Sequence, residues 1–202
     1  YLRGRGFYYR YDRVGNLERA QQQFDEAIRM DPSFSAAYAG LAETLVRGSR
    51  EKKDPSLLAA AEAPARRAVE LSPQLPGARV VLGSVLAGLQ KFPEAEGEFK
   101  AALKLDKLDP VAYRELARLY YQQKRMGEAE NLYKKAMEER PGDWMTYQYA
   151  ATFYGGRQRF QDAEKQLRKA IQITPDNHLP YRYLGGVLLK LNRNREAEQM
   201  ML

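Results

Sequence analysis

An all-α fold, a solenoid of antiparallel helix hairpins, is predicted for this 202-residue chain by three observations. First, small and bulky apolar residues and a proline recur at gaps of four, three and five, as in Ala129, Tyr133, Ala136 and Pro141. Second, an aromatic followed at +3, +4 and +7 by an apolar, a small and an apolar or aromatic residue precedes each of these runs, as in Tyr113, Leu116, Ala117 and Tyr120. Third, the two patterns together recur with a 34-residue period, and self-similarity at that period marks a stack of supersecondary units with one continuous core.

Taken in order, the units read as 1–34, 35–75, 76–109, 110–143, 144–177 and a truncated 178–202. The proline-terminated run appears as Ala20, Phe24, Ala27 and Pro32; as Ala61, Ala65, Ala68 and Pro73; as Ala95, Phe99 and Ala102 with Lys107 in place of the proline; and as Ala163, Leu167, Ala170 and Pro175. The aromatic-led run appears as Tyr38, Leu41, Ala42 and Leu45; as Tyr147, Ala150, Ala151 and Tyr154; and as Tyr181, Leu184, Gly185 and Leu188. Apolar residues at i, i+3, i+4 and i+7 are the period of an amphipathic helix, and strand-like alternation is absent. Turn-forming stretches such as "RVGN" at 13–16, "QKRMG" at 123–127 and "GGRQR" at 155–159 lie between the two helices of a unit, with glycines expected at the positive dihedrals that end a helix. Proline closes the second helix because it disfavours helix at the residue before it. Small residues at the crossings let two backbones approach while Tyr, Phe or Leu fills the neighbouring gap.

Two departures are expected to distort the stack. The first unit has Gly4 at its aromatic position and Tyr8 at its small one, so its opening helix is expected to pack differently or start late. The second unit has 41 residues, seven more than the norm, and the excess falls near 47–56, "RGSREKKDPS"; closure entropy grows slowly with length, so a solvated loop or an extra helical turn is cheap there. Pro64 lies inside the second helix of this unit, where its ring is expected to kink the helix.

Composition excludes several classes. With no cysteine and one histidine there is no disulfide framework, thiolate nucleophile or zinc–thiolate site. The longest apolar stretch, "VVLGSVLAGL" at 80–89, is about half of the roughly 20 residues a membrane span requires. Residue 1 is Tyr and the last unit stops partway, so the chain reads as an excerpt of a longer protein. The compartment stays open, with the cytoplasm favoured. The net charge of +7 is dispersed through mixed runs such as "EKQLRK", as on solvated helix faces.

No constellation of catalytic residues is found. His178 stands beside Pro175 and Asn177 without an acidic cluster, which makes neither a metal site nor a triad. The glycine pairs at 155–156 and 185–186 form no phosphate loop, and "GRGFYY" at 4–9 completes no dinucleotide fingerprint. Acidic pairs such as Glu138 and Glu139 lie on expected exposed faces, with no pocket to shift their pKa values. No enzyme activity, cofactor or metal is expected. Eight tyrosines, Tyr11, Tyr38, Tyr113, Tyr120, Tyr133, Tyr147, Tyr154 and Tyr181, stand at packing positions, so core packing accounts for most of the aromatic excess.

These residues and offsets resemble the tetratricopeptide repeat, whose 34-residue unit carries an aromatic, Leu, Gly or Ala, Tyr, Ala, an aromatic, Ala and Pro in this order. The resemblance covers essentially the whole chain and implies a right-handed superhelix with the first helix of each unit along a concave groove. "YLRGRGFYY" and the following residues to about 45 are also similar to the start of tetratricopeptide regions in bacterial signalling proteins, which implies a docking or sensory module beside an effector domain.

On a helical wheel, positions 2, 5, 9, 12 and 13 of each unit point away from the packed face. They hold Arg5, Tyr9, Asp12 and Arg13; Glu43 and Arg47; Ser84; Arg114, Arg118 and Tyr121; Gln148 and Thr152; and Arg182 with Lys190. Arg114 and Arg118 are one helical turn apart, and guanidinium groups bind carboxylate or phosphate bidentately. The expected function is a non-catalytic scaffold that holds a partner protein or an acidic or phosphorylated peptide in the groove. In relatives that clamp a chaperone carboxylate, Lys and Asn stand where this chain has Ala39 and Glu43, and Asn where it has Ser84, which argues against that ligand. Two alternatives remain: a basic solenoid that binds nucleic acid, and end-to-end self-association through Leu191, Ala197, Met200, Met201 and Leu202, since solenoid ends need a polar cap.

Overall fold

The computed structural model describes residues 1–11, 13–107 and 109–201, with the backbone alone at Met201; Asp12 and Leu202, both named above, lie outside the described residues. The helices are α1 (Leu2–Tyr9), α2 (Asn16–Met30), α3 (Ser35–Lys52), α4 (Pro55–Ala60), α5 (Glu62–Leu71), α6 (Pro76–Gly88), α7 (Phe92–Leu105), α8 (Pro110–Gln122), α9 (Met126–Glu139), α10 (Trp144–Gly156), α11 (Phe160–Ile173), α12 (His178–Lys190) and α13 (Asn194–Met201). No strand occurs among the described residues. The fold is all-α, as expected.

Two compact units divide the chain at Glu115 and Leu116, within α8. In the first, α1 pairs with α2, α3 with the α4–α5 segment and α6 with α7, while α2 against α3 and α5 against α6 join successive hairpins. In the second, α10 pairs with α11 and α12 with α13, while α9 packs on α10 and α11 on α12.

The small residues of the repeated pattern are the crossing points. Ala20, Ala61, Ala65, Ala68, Ala95, Ala102, Ala129, Ala163, Ala170 and Ala197 are all buried. Phe24 and Phe99 are fully enclosed because glycines face them: a Cβ at Gly40 would come within 2.6 Å of the Phe24 ring and one at Gly83 within 2.7 Å of Phe99. Gly4 of α1 also lies on the Phe24 ring, where an added Cβ would approach to 2.9 Å. Gly4 therefore takes the small-residue role that the sequence pattern assigns to Tyr8. Gly83 precedes its phenylalanine by 16 residues and Gly4 by 20, so the link from α1 to α2 is longer and the opening helix shifts by about a turn. This correction moves Tyr8 out of the packing role.

Three further expectations change. The expected positive dihedral holds at Gly15, with φ of 79°, but Gly127, Gly155 and Gly156 lie inside helices, and the other left-handed positions are Gln90, Lys124, Gln158 and Asn192, each with φ of 60–61°, besides Lys53 at 53°. Each of these four turns is closed in the Schellman pattern: Lys91 N–H donates to Leu86 O (2.9 Å), Arg125 to Tyr120 O (2.8 Å), Arg159 to Tyr154 O (3.0 Å) and Arg193 to Leu188 O (3.0 Å). Tyr11 is 40 % exposed rather than packed, and Ala197, expected at an uncapped end, is buried within the α12–α13 hairpin.

The insertion near 47–56 lengthens α3 to 18 residues and then turns at Lys53. Asp54 accepts a hydrogen bond from Ser56 N (2.9 Å) and caps α4, whose first residue is Pro55, the position where a missing N–H costs nothing. The expected kink from Pro64 is the break between α4 and α5 at Ala61, because the Pro64 ring would meet the Ala60 carbonyl in a continuous helix. Pro32, Pro73, Pro141 and Pro175 each follow a helix that ends two residues earlier.

Candidate functional site

In the first unit, α1, α3, α6 and the start of α8 line one pocket of about 140 Å³. Four residues predicted from the sequence meet there: Glu43 and Arg47 from α3, Ser84 from α6 and Arg114 from α8. The apolar part of the wall is Val46, Val80, Val81 and Val111, and Tyr8, Arg50 and Glu115 complete it.

Its electrostatics are set by pairs within the chain. Arg5 donates to Glu43 Oε2 (2.5 Å) and to the Tyr9 hydroxyl (2.5 Å), and its guanidinium lies 4.8 Å from the Tyr9 ring centroid. Burial alone would lower the Arg5 pKa, but the Glu43 charge and the hydrogen bonds to Tyr9 and Glu43 outweigh it, so the group is held more firmly protonated than usual. Arg114 binds Glu115 through Nε (2.9 Å) and Nη2 (2.8 Å). Arg47 stacks over Tyr11 at 3.9 Å and Tyr8 at 5.6 Å from the ring centroids, a cation–π arrangement. Burial and then the Glu43 charge push the Tyr8 phenol up, while Arg47 opposes them. Among the described residues, Arg47 has no carboxylate within ion-pair distance.

Tyr9 stays 67 % exposed at the edge of this cluster. Arg13 lies outside it: α1 ends at Tyr9, and Arg13 is an exposed turn residue whose N–H bonds to Arg10 O (3.1 Å). The helical-wheel placement of Arg13 is thus corrected by the early end of α1. Pattern reading missed Tyr8 because the shifted register hid it. It missed Arg50 because that residue belongs to the lengthened α3, beyond the unit's normal first helix.

In the second unit, Thr152, Arg182 and Lys190 line a cleft of about 470 Å³ with Ala151, Gly155, Phe160, Leu167, Tyr183, Gly186 and Val187. Thr152 Oγ1 donates to Gln148 O (3.1 Å). Gln148 itself is 8 % exposed, and its Oε1 has no hydrogen-bond partner among the described residues. Tyr121 packs edge-on against Phe153 at 6.0 Å, and Arg118 is half-buried on α8. His178 is the first residue of α12 and lines a further hollow with Asp176, Tyr181, Arg182 and Met200. Among the described residues no group of three or more His, Asp or Glu is placed to hold a metal ion, and no helix is long and apolar enough to cross a membrane.

Stacked hairpins that present side chains from several helices define a helical-repeat interaction scaffold. The family model of the tetratricopeptide repeat matches residues 9–76 and 80–143, and the chain belongs to this family, whose members are generally non-catalytic scaffolds for protein interaction. No curated protein sequence matches it. Among solved structures, the thermophilic tetratricopeptide protein TTC0263 of Thermus thermophilus is similar with a TM-score of 0.75 at 19% identity, over 92% of this chain and 96% of that one. PilF of Pseudomonas aeruginosa is similar with a TM-score of 0.65 at 19% identity, over 98% and 85%. Human IFIT1, solved as a dimer with m7Gppp-AAAA, is similar with a TM-score of 0.70 at 21% identity over 93% of this chain and 46% of that one. The chain thus spans about half the length of the human protein. At these identities the likeness is one of fold.

Proposed function

We propose that the chain is a non-catalytic docking module that receives a peptide segment of a partner protein in the pocket of its first unit. The observation that carries this reading is that side chains from four separate helices, α1, α3, α6 and α8, line one pocket that combines four valines with three arginines. Valine side chains remove apolar surface of a ligand from water. Arg47 adds a cation with no carboxylate of its own, while Glu43 and Glu115 are each already matched by Arg5 and Arg114, so a carboxylate or phosphate on the partner is the complementary group. A place beside an effector domain, which the resemblance of residues 1–45 to tetratricopeptide regions of bacterial signalling proteins implies, is part of the same proposal.

The test is site-directed photocrosslinking with the photoreactive residue at Ser84 or, as a control, at the exposed Lys104 of α7. Crosslinking of a partner from Ser84, lost on Arg47→Glu, is the expected result. Crosslinking from Lys104 alone, or capture from Ser84 indifferent to Arg47→Glu, overturns the reading.

A nucleic-acid reading draws on the +7 charge and on the m7Gppp-AAAA carried by the human structure. It predicts affinity that falls steeply with salt as counterions are released, and absence of RNA binding at low salt removes it.

A further inference from the structure

We propose that the cleft between α10, α11 and α12 in the second unit is a separate docking site for an extended acidic peptide with an apolar side chain at its centre. It shares the interaction-scaffold reading with the pocket of the first unit but none of that pocket's residues. Its floor is apolar, with Ala151 and Leu167 buried, and Phe160, Val187 and the 42 % exposed Tyr183 form the walls. Among the described residues no acidic side chain lines it. Two cations do, Arg182 and Lys190, and among the described residues neither has a carboxylate partner; Arg182 only lies over the Tyr183 ring at 5.7 Å.

The geometry of the helix turns this charge imbalance into a peptide pattern. Arg182 and Lys190 both stand on α12, eight residues apart, which at 1.5 Å per residue separates them by about 12 Å along the axis. An extended chain advances about 3.3 Å per residue, so carboxylates about four residues apart would reach both cations. The residue midway between them faces the same side of the strand and would enter the apolar floor. Thr152 Oγ1 donates to Gln148 O, which leaves its lone pairs to accept a peptide N–H.

Two glycines support the assignment. A Cβ at Gly155 or Gly186 would meet no atom of the chain within 4 Å, unlike Gly40 and Gly83. Both are helical, where glycine weakens a helix relative to alanine. Packing does not require them, and a side chain at Gly186 would occupy the cleft instead.

The experiment is a fluorescence-anisotropy titration of the 202-residue chain with short labelled peptides that carry a central phenylalanine or leucine and a glutamate two residues to either side. The same peptides with lysine for glutamate, and labelled oligoadenylate, are the comparison probes. The glutamate peptide is expected to bind and the lysine peptide not to bind. Affinity is expected to fall by about tenfold or more in the double variant Arg182→Glu, Lys190→Glu and in Gly186→Leu, with helicity unchanged, and to be unaffected by Arg47→Glu. No binding of the glutamate peptide, equal binding of the lysine peptide, or insensitivity to Gly186→Leu overturns the proposal. Oligoadenylate binding that disappears in the Arg182→Glu, Lys190→Glu variant while no peptide binds would assign the cleft to nucleic acid and overturn it too. Loss of the proposed partner through Arg47→Glu bears only on the first-unit pocket, so the two readings fail separately.

Discussion

Arg193 reaches back 29 residues to bind both carboxylate oxygens of Glu164 at 2.8 Å. The same separation joins Arg159 to Glu130 (2.8 Å) and Lys91 to Glu62 (2.8 Å). Each cation is the residue that follows a left-handed turn position, Asn192, Gln158 or Gln90, and its backbone N–H closes that turn. One residue thus ends the first helix of a hairpin, starts the second and ties it by charge to the hairpin before. Arg193 and Arg159 also hold the acidic residue three places on, Glu196 and Asp162, at 2.6 Å.

These pairs predict an acid-sensitive stack. Lys91 and then Arg66 hold the Glu62 carboxyl below its usual range, and Arg193 does the same to Glu196. At Glu130 burial pushes upward, but the hydrogen bonds from Lys134 and Arg159 outweigh it and the net direction is down. A carboxyl lowered on folding contributes stability that is complete above its unfolded value, near 4.5, and is lost as pH falls through the folded value. Asp25, raised by burial, works in the opposite direction. Thermal melts between pH 7 and pH 3 are expected to show a falling midpoint below about pH 4.5, with a shallower fall in Glu62→Gln. At neutral pH that substitution is expected to cost on the order of 0.5 kcal/mol, because Lys91 is partly exposed.

The left-handed turns predict a stabilising change. Gln158 holds φ at 60° with an exposed side chain, a conformation that costs a residue with a Cβ roughly 1 kcal/mol or more and glycine nothing. Gln158→Gly is therefore expected to raise unfolding stability by about 1 kcal/mol in denaturant titration. Asn192→Gly is expected to gain less, because asparagine tolerates this region. A loss of stability in Gln158→Gly would contradict the turn assignment.

Two glycines of similar helical setting predict opposite responses. An alanine at Gly83 would drive its Cβ to 2.7 Å from the buried Phe99 ring, and overpacking of this kind costs about 1–3 kcal/mol. Alanine at Gly186 meets nothing within 4 Å and is expected to stabilise by up to about 1 kcal/mol through helix propensity. Paired unfolding curves of Gly83→Ala and Gly186→Ala check both signs.

The fold was legible because packing leaves a periodic trace: Ala129, Tyr133 and Ala136 are spaced by helix geometry, and all three are buried. The departure of the opening helix was legible in Gly4 and Tyr8, but its size was not, because Phe24 accepts Gly4 across a longer connection than the one that separates Gly83 from Phe99, and a repeat template presumes equal lengths. Ion pairs such as Arg193 with Glu164 were not legible, since a surface charge carries no hydrophobic period to betray its partner. Of the residues expected to face a ligand, Glu43, Arg47, Ser84 and Arg114 share one pocket and Thr152, Arg182 and Lys190 another. Arg13 fell outside because helix position presumes a helix, and α1 ends before it.

Hydrogen exchange followed by mass spectrometry, on the chain alone and with its captured partner, tests the central claim most directly. Protection concentrated in residues 43–50, 80–84 and 111–115 on partner binding is the predicted result. Protection confined to α2, α5 and α7, with those three segments exchanging as in the free chain, would contradict it.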